Sequence, residues 1–204
     1  MGAARAPAAC DAILQRLGGP VDLVLIHWPG GSKLPSDSPE HRRLRRETWR
    51  VLEGFQRRGL FRAIGVSNFC CRHLEELLAE AEAPPAVNQF ECHPRWQQAE
   101  LRALCAARGV APVAYASLGS GALLAEPEVA AVAAAEGVTP AQALLLWGLQ
   151  RGCAVIPKAV QAAHLAEVAP GNLLGRRLGE GALARLDALG REPKKYCWDP
   201  GPVL

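Results

Sequence analysis

Along the chain, short apolar runs alternate with longer segments in which apolar residues recur at helical spacing. The runs cover residues 21–28, 61–66, 86–92, 111–116 and 153–157. They are rich in Val, Ile and Ala, show no strict alternation, and end in polar, glycine or proline residues. That texture predicts strands buried on both faces, as in a parallel sheet.

The intervening segments predict helices. Leu44, Thr48, Val51, Leu52 and Phe55 form one stripe, stopped by Gly59. Leu74, Leu77, Leu78 and Ala81 form the next, stopped by Pro84-Pro85. Leu101, Leu104 and Cys105 form a third, ending at Gly109. Thr139-Pro-Ala-Gln142 reads as a capping box with proline in the first turn, opening a helix through Gln150. Two further helical stretches lie near 162–168 and 182–189.

Five strands, each followed by a helix, argue for an α/β fold with parallel strands and right-handed crossovers. Both an open doubly wound sheet and part of a (β/α)8 TIM barrel fit this order. A dinucleotide-binding Rossmann fold calls for G-x-G-x-x-G in the first βα turn. That turn here is H-W-P-G-G, and Gly119-Ser-Gly121 is only a fragment of the pattern in a later loop. Strand starts lie about 25 to 40 residues apart, so eight units would need roughly 250 residues. The chain holds about five βα units in one domain over residues 1–204. The shortfall lies before the first strand, where a single helix with Ala6, Cys10, Ile13, Leu14 and Leu17 on one face is expected.

Composition narrows the function class. With 204 residues, 50% of them hydrophobic and 21% charged, the chain reads as an ordinary globular domain. A net charge of +3 and scattered basic residues give no nucleic-acid surface. The cluster Arg42, Arg43, Arg45 and Arg46 reads as the solvated start of a helix. No apolar run reaches the length of a membrane span. The seven cysteines contain no C-x-x-C pair and mostly sit in apolar context, so they are expected to be reduced thiols of a cytoplasmic protein. Cys92-His93 has no second pair at ligand spacing, so no metal is expected.

In parallel α/β folds the chemistry collects at the C-terminal ends of the strands. Those ends carry His27, then Ser67 and Asn68, then Asn88 and Gln89 with Glu91 and His93 beyond, then Tyr115, then Lys158. Each has a structural alternative: a satisfied histidine, an N-cap for the next helix, a backbone-paired amide, a core ring, a solvated cation. Taken together, an imidazole, amide side chains, a flat ring and a cation suit a nicotinamide nucleotide bound without a Rossmann motif.

The motifs L-I-H-W-P (25–29), G-V-S-N-F (65–69), V-N-Q-F-E-C-H-P (87–94), V-A-Y-A-S-L-G-S (113–120), V-I-P-K (155–158) and K-Y-C-W-D-P (195–200) resemble those of the aldo-keto reductases, in order and spacing. The resemblance implies a (β/α)8 barrel that binds NADP(H) and reduces an aldehyde or ketone to an alcohol. It implies that His27 orients the substrate carbonyl and that Ser67, Asn68 and Gln89 hold the carboxamide. It further implies that Tyr115 stacks on the nicotinamide and that the backbone at Leu118 and Gly119 approaches the pyrophosphate. Lys158 then meets the 2′-phosphate, with His164 and Glu167 near the adenosine.

The family's catalytic aspartate, proton-donating tyrosine and lysine precede the strand that ends in His27, and the matching positions are absent here. The expectation is therefore an N-terminally shortened member with little or no turnover of its own. The alternative is a non-catalytic product that binds nucleotide or a protein partner. The family pattern has arginine at His164, asparagine at Val168 and often Ser or Thr at Ala159, so weakened NADP(H) binding is expected. The expected partners are a small carbonyl substrate, with no nucleic acid and no membrane, and self-association through strand edges left open at 21–28 and 153–157. The segment 30–40 and the C-terminal tail are the expected specificity elements.

Overall fold

A computed structural model describes residues 2–204. It contains five strands, β1 (Val21–Ile26), β2 (Phe61–Ser67), β3 (Val87–Glu91), β4 (Ala111–Tyr115) and β5 (Ala154–Val155). One sheet carries them in chain order, β1-β2-β3-β4-β5. The β1–β2, β2–β3 and β4–β5 pairs are parallel, as the apolar runs predict. Burial on both faces holds for most of β2 and β3 only; β1 buries Ile26, β4 buries Ala114, and β5 buries neither of its residues. These are five of the eight strands that a TIM barrel requires. β1 and β5 stand first and last in the order, so each has one strand neighbour.

The helices are α1 (Ala6–Leu17), α2 (Glu40–Arg57), α3 (Cys71–Leu78), α4 (Ala99–Ala107), α5 (Pro127–Glu136), α6 (Pro140–Gln150), α7 (Ala162–Glu167), α8 (Pro170–Leu173) and α9 (Glu180–Ala188). The residues fall into two compact units. Unit 1 comprises the residues up to Gln89, with Ala103–Ala111 and Asp199–Leu204. Unit 2 comprises Phe90–Arg102 and Pro112–Trp198.

The core of unit 1 gathers one face of α2 onto β1 and β2. Trp49, Leu52 and Phe55 from the expected stripe meet Ile26, Phe61, Ile64 and Val66. The Phe55 and Phe61 rings stack at 5.1 Å. α1 contributes less than its pattern suggests: Ala6 and Cys10 are buried, but Leu17 is 68% exposed. Its C-terminus turns away at Gly18, which adopts the left-handed conformation. Arg45 departs from the solvated-helix reading. It is buried, and its guanidinium bonds the carbonyls of Pro29 and Leu204 and the Glu76 carboxylate at 2.6–3.0 Å.

In unit 2, α6 is the central buried element, with Leu144, Leu145, Leu146 and Trp147 almost fully enclosed. The expected capping box is present: the Gln142 backbone N–H donates to Thr139 Oγ1 at 3.2 Å, and the Thr139 N–H donates to Gln142 Oε1 at 3.2 Å. α5 and α9 pack together, and α5 also packs against α6. The Asp187 carboxylate accepts from the Trp147 indole at 2.8 Å and pairs with Arg151. No single helix among the described residues is long and apolar enough to cross a membrane. All seven cysteines are free, with Cys10, Cys92, Cys105 and Cys153 buried and the others half-buried.

Candidate active site

Unit 1 brings the first group of candidate residues together at the C-terminal ends of β1, β2 and β3. Parallel register sets this up: Ile26 pairs with Val66, and Ser67 with Gln89. His27 follows β1 directly and is exposed. Ser67 and Asn68 are buried. Neither caps the next helix; the N-cap of α3 is Cys70.

Their bonds are mutual. Ser67 Oγ donates to the Gln89 carbonyl at 2.9 Å, and the Asn68 backbone N–H donates to the same oxygen at 2.8 Å. Asn68 Nδ2 donates to Ser67 Oγ at 3.1 Å and to the His27 carbonyl at 2.9 Å. The side-chain amide of Asn68 thereby ties the end of β2 to the end of β1, while its backbone N–H and Ser67 Oγ tie it to β3. Asn68 holds φ = 63°, a conformation that asparagine tolerates better than most residues. Gln89 is half-buried, and its side-chain amide has no hydrogen-bond partner among the described residues.

Unit 2 holds the second group. A cleft of about 660 Å³ is lined by Leu118, Ser120 and Gly121 on one side and by Lys158, His164 and Glu167 on another. That volume is in the range of small-molecule sites. Ala159 and Val168, two positions that depart from the family pattern, also line it. Lys158 and His164 are exposed, and Lys158 makes no ion pair among the described residues. Glu167 is engaged already: Thr139 Oγ1 donates to its carboxylate, and Gln142 Nε2 donates to its carbonyl at 3.0 Å.

The loop bordering this cleft is unusual in its backbone. Ala116, Gly119, Ser120 and Gly121 all have positive φ, from 49° to 92°. Gly119 has no room for a side chain, because a Cβ there would stand 2.7 Å from Leu123 Cγ and 2.8 Å from Tyr196 Cε2. Such a loop presents backbone rather than side chains to a ligand. Tyr115, at the end of β4, is half-buried and does not line the cleft. Burial raises its phenol above the usual range, with the negative charges of Cys197 and Glu91 acting in the same direction.

Unit 2 also joins the motif at 87–94 to the tail motif at 195–200. Glu91 ends β3 and is buried, with 1% of its surface exposed. Its Oε1 accepts from His93 Nε2 at 3.1 Å, from the Tyr196 N–H at 2.6 Å and from the Cys197 N–H at 3.3 Å. Lys195 Nζ lies 2.9 Å from Oε2. Burial opposes the charge on Glu91, but the bonds from His93, Tyr196 and Lys195 outweigh it and hold the carboxyl at about 2. No group of three or more metal-ligating side chains is present among the described residues.

The comparisons with known proteins agree on one family. The aldo/keto reductase family model matches residues 1–189. The chain is 38% identical over 188 residues to glyoxal reductase of Bacillus subtilis (strain 168), covering 92% of this chain and 63% of that protein. It is 41% identical over 166 residues to aldo-keto reductase family 1 member A1 of Bos taurus, covering 72% of this chain and 51% of that one. Among solved structures, apo Gox0644 superposes with a TM-score of 0.84 at 30% identity, over 100% of this chain and 70% of that one. MGS-M4, an aldo-keto reductase from a Medee basin deep-sea metagenome library, gives 0.84 at 29% identity, over 95% and 69%. The chain thus spans about half to two-thirds of the length of these curated relatives. On the family model, the relatives and the shared fold, the chain belongs to the aldo/keto reductase family.

Proposed function

We propose that this chain carries the cofactor-binding part of an NADP(H)-dependent carbonyl reductase and has little or no turnover of its own. The observation that carries this reading is the unit 2 cleft, where Lys158, His164 and Glu167 share one cavity with the left-handed loop at 118–121. A cation, a ring and exposed backbone fit the phosphate and adenosine parts of such a nucleotide.

When bound, NADPH would supply the hydride for a carbonyl carbon. Lys158 holds the 2′-phosphate, His164 and Glu167 border the adenosine, and the backbone at Leu118 and Gly119 meets the pyrophosphate. Tyr115 offers its ring face to the nicotinamide. Ser67, Asn68 and Gln89 hold the carboxamide; Gln89 contributes an amide with no other partner, while Asn68 frames the site through its bonds to His27 and Ser67. His27 directs its imidazole at the carbonyl oxygen of a small aldehyde or ketone.

Low turnover is supported by what accompanies His27. The chain has two tyrosines, Tyr115, assigned here to the nicotinamide face, and Tyr196 in the tail, and neither matches the family's proton donor by motif. A reduction needs a proton at the carbonyl oxygen, and loss of a general acid costs about 10²–10⁴ in rate. The same reading treats residues 1–204 as one partial reductase-like domain of the cytoplasm. It also assigns the single-neighbour strands β1 and β5 as surfaces for self-association.

The test is a fluorescence titration of the purified chain with NADPH and NADH, alongside an assay of NADPH oxidation with small aldehydes. Binding of NADPH in preference to NADH, without turnover, is the expected result. Absence of NADPH binding overturns the cofactor assignment. Turnover at rates usual for enzymes, about 1–10³ per second, overturns the claim of low activity.

A further inference from the structure

The Glu91 cluster joins two segments that the sequence leaves far apart. On one side are β3 and the turn behind it, where His93 and Trp96 sit. On the other is the tail at 195–197. The buried carboxylate takes two tail backbone N–H groups and faces the Lys195 ammonium, which also lies 4.8 Å from the centre of the Trp96 ring. A carboxylate this buried is costly unless it is paired, and here most of its partners come from the tail.

The tail in turn touches the cofactor loop. Held at its own N–H by Glu91, Tyr196 places Cε2 where a side chain on Gly119 would have to go. The same ring meets His93 edge-on at 5.2 Å between centroids. The neighbouring Cys197 thiol is raised by burial, with a bond from the Ser120 side chain acting against that. Ser120 and Gly119 are two of the four positive-φ residues of the loop. The glycines take this conformation freely, but Ala116 and Ser120 are strained by it and persist there only where their surroundings hold them.

We propose that Glu91 is a positioning residue for the loop at 116–121: its carboxylate pins the tail, and the pinned tail sets the Tyr196 ring against Gly119 so that the loop keeps its left-handed form. The role of that loop in holding NADP(H) rests on the function proposed above; the pinning itself does not. Glu91 touches neither the cleft nor its ligand, and acts through Tyr196.

The experiment is hydrogen–deuterium exchange on the ligand-free chain, comparing the parent with Glu91→Gln, Tyr196→Ala and Tyr196→Phe. Glu91→Gln keeps the shape and the acceptor oxygen but removes the charge that Lys195 faces. It is expected to speed exchange about tenfold at both 195–198 and 116–123, with α6 and α9 unchanged. Tyr196→Ala is expected to loosen 116–123 in the same way, and Tyr196→Phe, which keeps the ring, is expected to behave as the parent. NADPH titration of the same four proteins follows; the two loosening variants should bind about tenfold more weakly, with Tyr196→Phe unaffected.

Faster exchange in the tail with none in 116–123 overturns the inference. So does a uniform rise across α6 and α9, which marks Glu91 as a general stability residue, and so does failure of Tyr196→Phe to match the parent. If Glu91→Gln does not fold, the Tyr196 pair decides the matter. A parent chain that binds no NADPH while the exchange pattern holds overturns the cofactor reading and leaves the pinning standing.

Discussion

Asn68 Nδ2 donates to the backbone carbonyl of His27 at 2.9 Å, joining the end of β2 to the end of β1. The residue proposed to hold the carboxamide is therefore also a clamp on the backbone that carries His27. Asn68→Ala removes this bond and the one to Ser67 and leaves a side chain at φ = 63°. The expected loss is about 2–4 kcal/mol of unfolding free energy. Asn68→Gly loses the same bonds without the strain and should cost less. Urea titration followed by circular dichroism measures both, and equal losses would show that the backbone conformation contributes nothing.

His73 makes stability depend on pH. It is fully buried in unit 1, where Nε2 donates to the Val203 carbonyl at 2.7 Å and Nδ1 lies 3.2 Å from Cys70 Sγ. Burial, reinforced by the charges of Arg45 and Arg72, lowers it from 6.5 to about 4 against the pull of the Val203 bond. The folded state thus refuses a proton that the unfolded state accepts. The contribution is full above about pH 6.5 and is lost as the pH falls toward 4. The loss should be about 3 kcal/mol at most. Unfolding free energies at pH 7 and pH 5, for the parent and His73→Gln, test this; the variant should show a flatter pH dependence over that window.

Much of the sheet was legible along the chain because a parallel strand runs apolar until it leaves the sheet. The polar residue at an exit then marks the edge where the candidate site is proposed, as at His27 after β1 and Ser67 at the end of β2. The exits were read slightly long. The run at 21–28 pairs only over Val21–Ile26, and that at 153–157 only over Ala154–Val155, where one neighbour defines the ladder. Helix α5 escaped notice because its sequence, P-E-V-A-A-V-A-A-A-E, forms no apolar stripe. Arg45 differs for another reason. A buried charge looks like a surface charge until its partners are known, and one of those partners lies as far away as Leu204.

Lys158 and His164 give a test of nucleotide choice. Both line the unit 2 cleft, and Lys158 has no acidic partner there to satisfy it. A charge-assisted bond to a 2′-phosphate is worth roughly 1.5–3 kcal/mol. Lys158→Met should therefore weaken NADPH binding about 10- to 150-fold and leave NADH binding unchanged. His164→Arg supplies a permanent cation with a planar fork in the same cleft and should tighten NADPH severalfold. Fluorescence titrations with the two nucleotides read both effects, and equal changes for NADPH and NADH would remove Lys158 from the phosphate.

The loop glycines separate two kinds of constraint. Gly119 and Gly121 both have positive φ, at 58° and 92°. A Cβ on Gly121 would meet nothing within 4 Å, whereas one on Gly119 would press into Leu123 and Tyr196. Gly121→Ala therefore carries conformational strain alone, of order 1–3 kcal/mol. Gly119→Ala carries similar strain and also drives the Tyr196 ring off its seat against the loop. If the cleft depends on that seat, Gly119→Ala should weaken NADPH binding about tenfold more than Gly121→Ala does, a gap of roughly 1.4 kcal/mol. Combining Gly119→Ala with Tyr196→Ala opens the space that the new methyl group needs. The double variant should then lose less affinity than the two single losses added together, because each removes the same contact. Strict additivity in that cycle would mean that Gly119 and Tyr196 act on the cofactor loop independently.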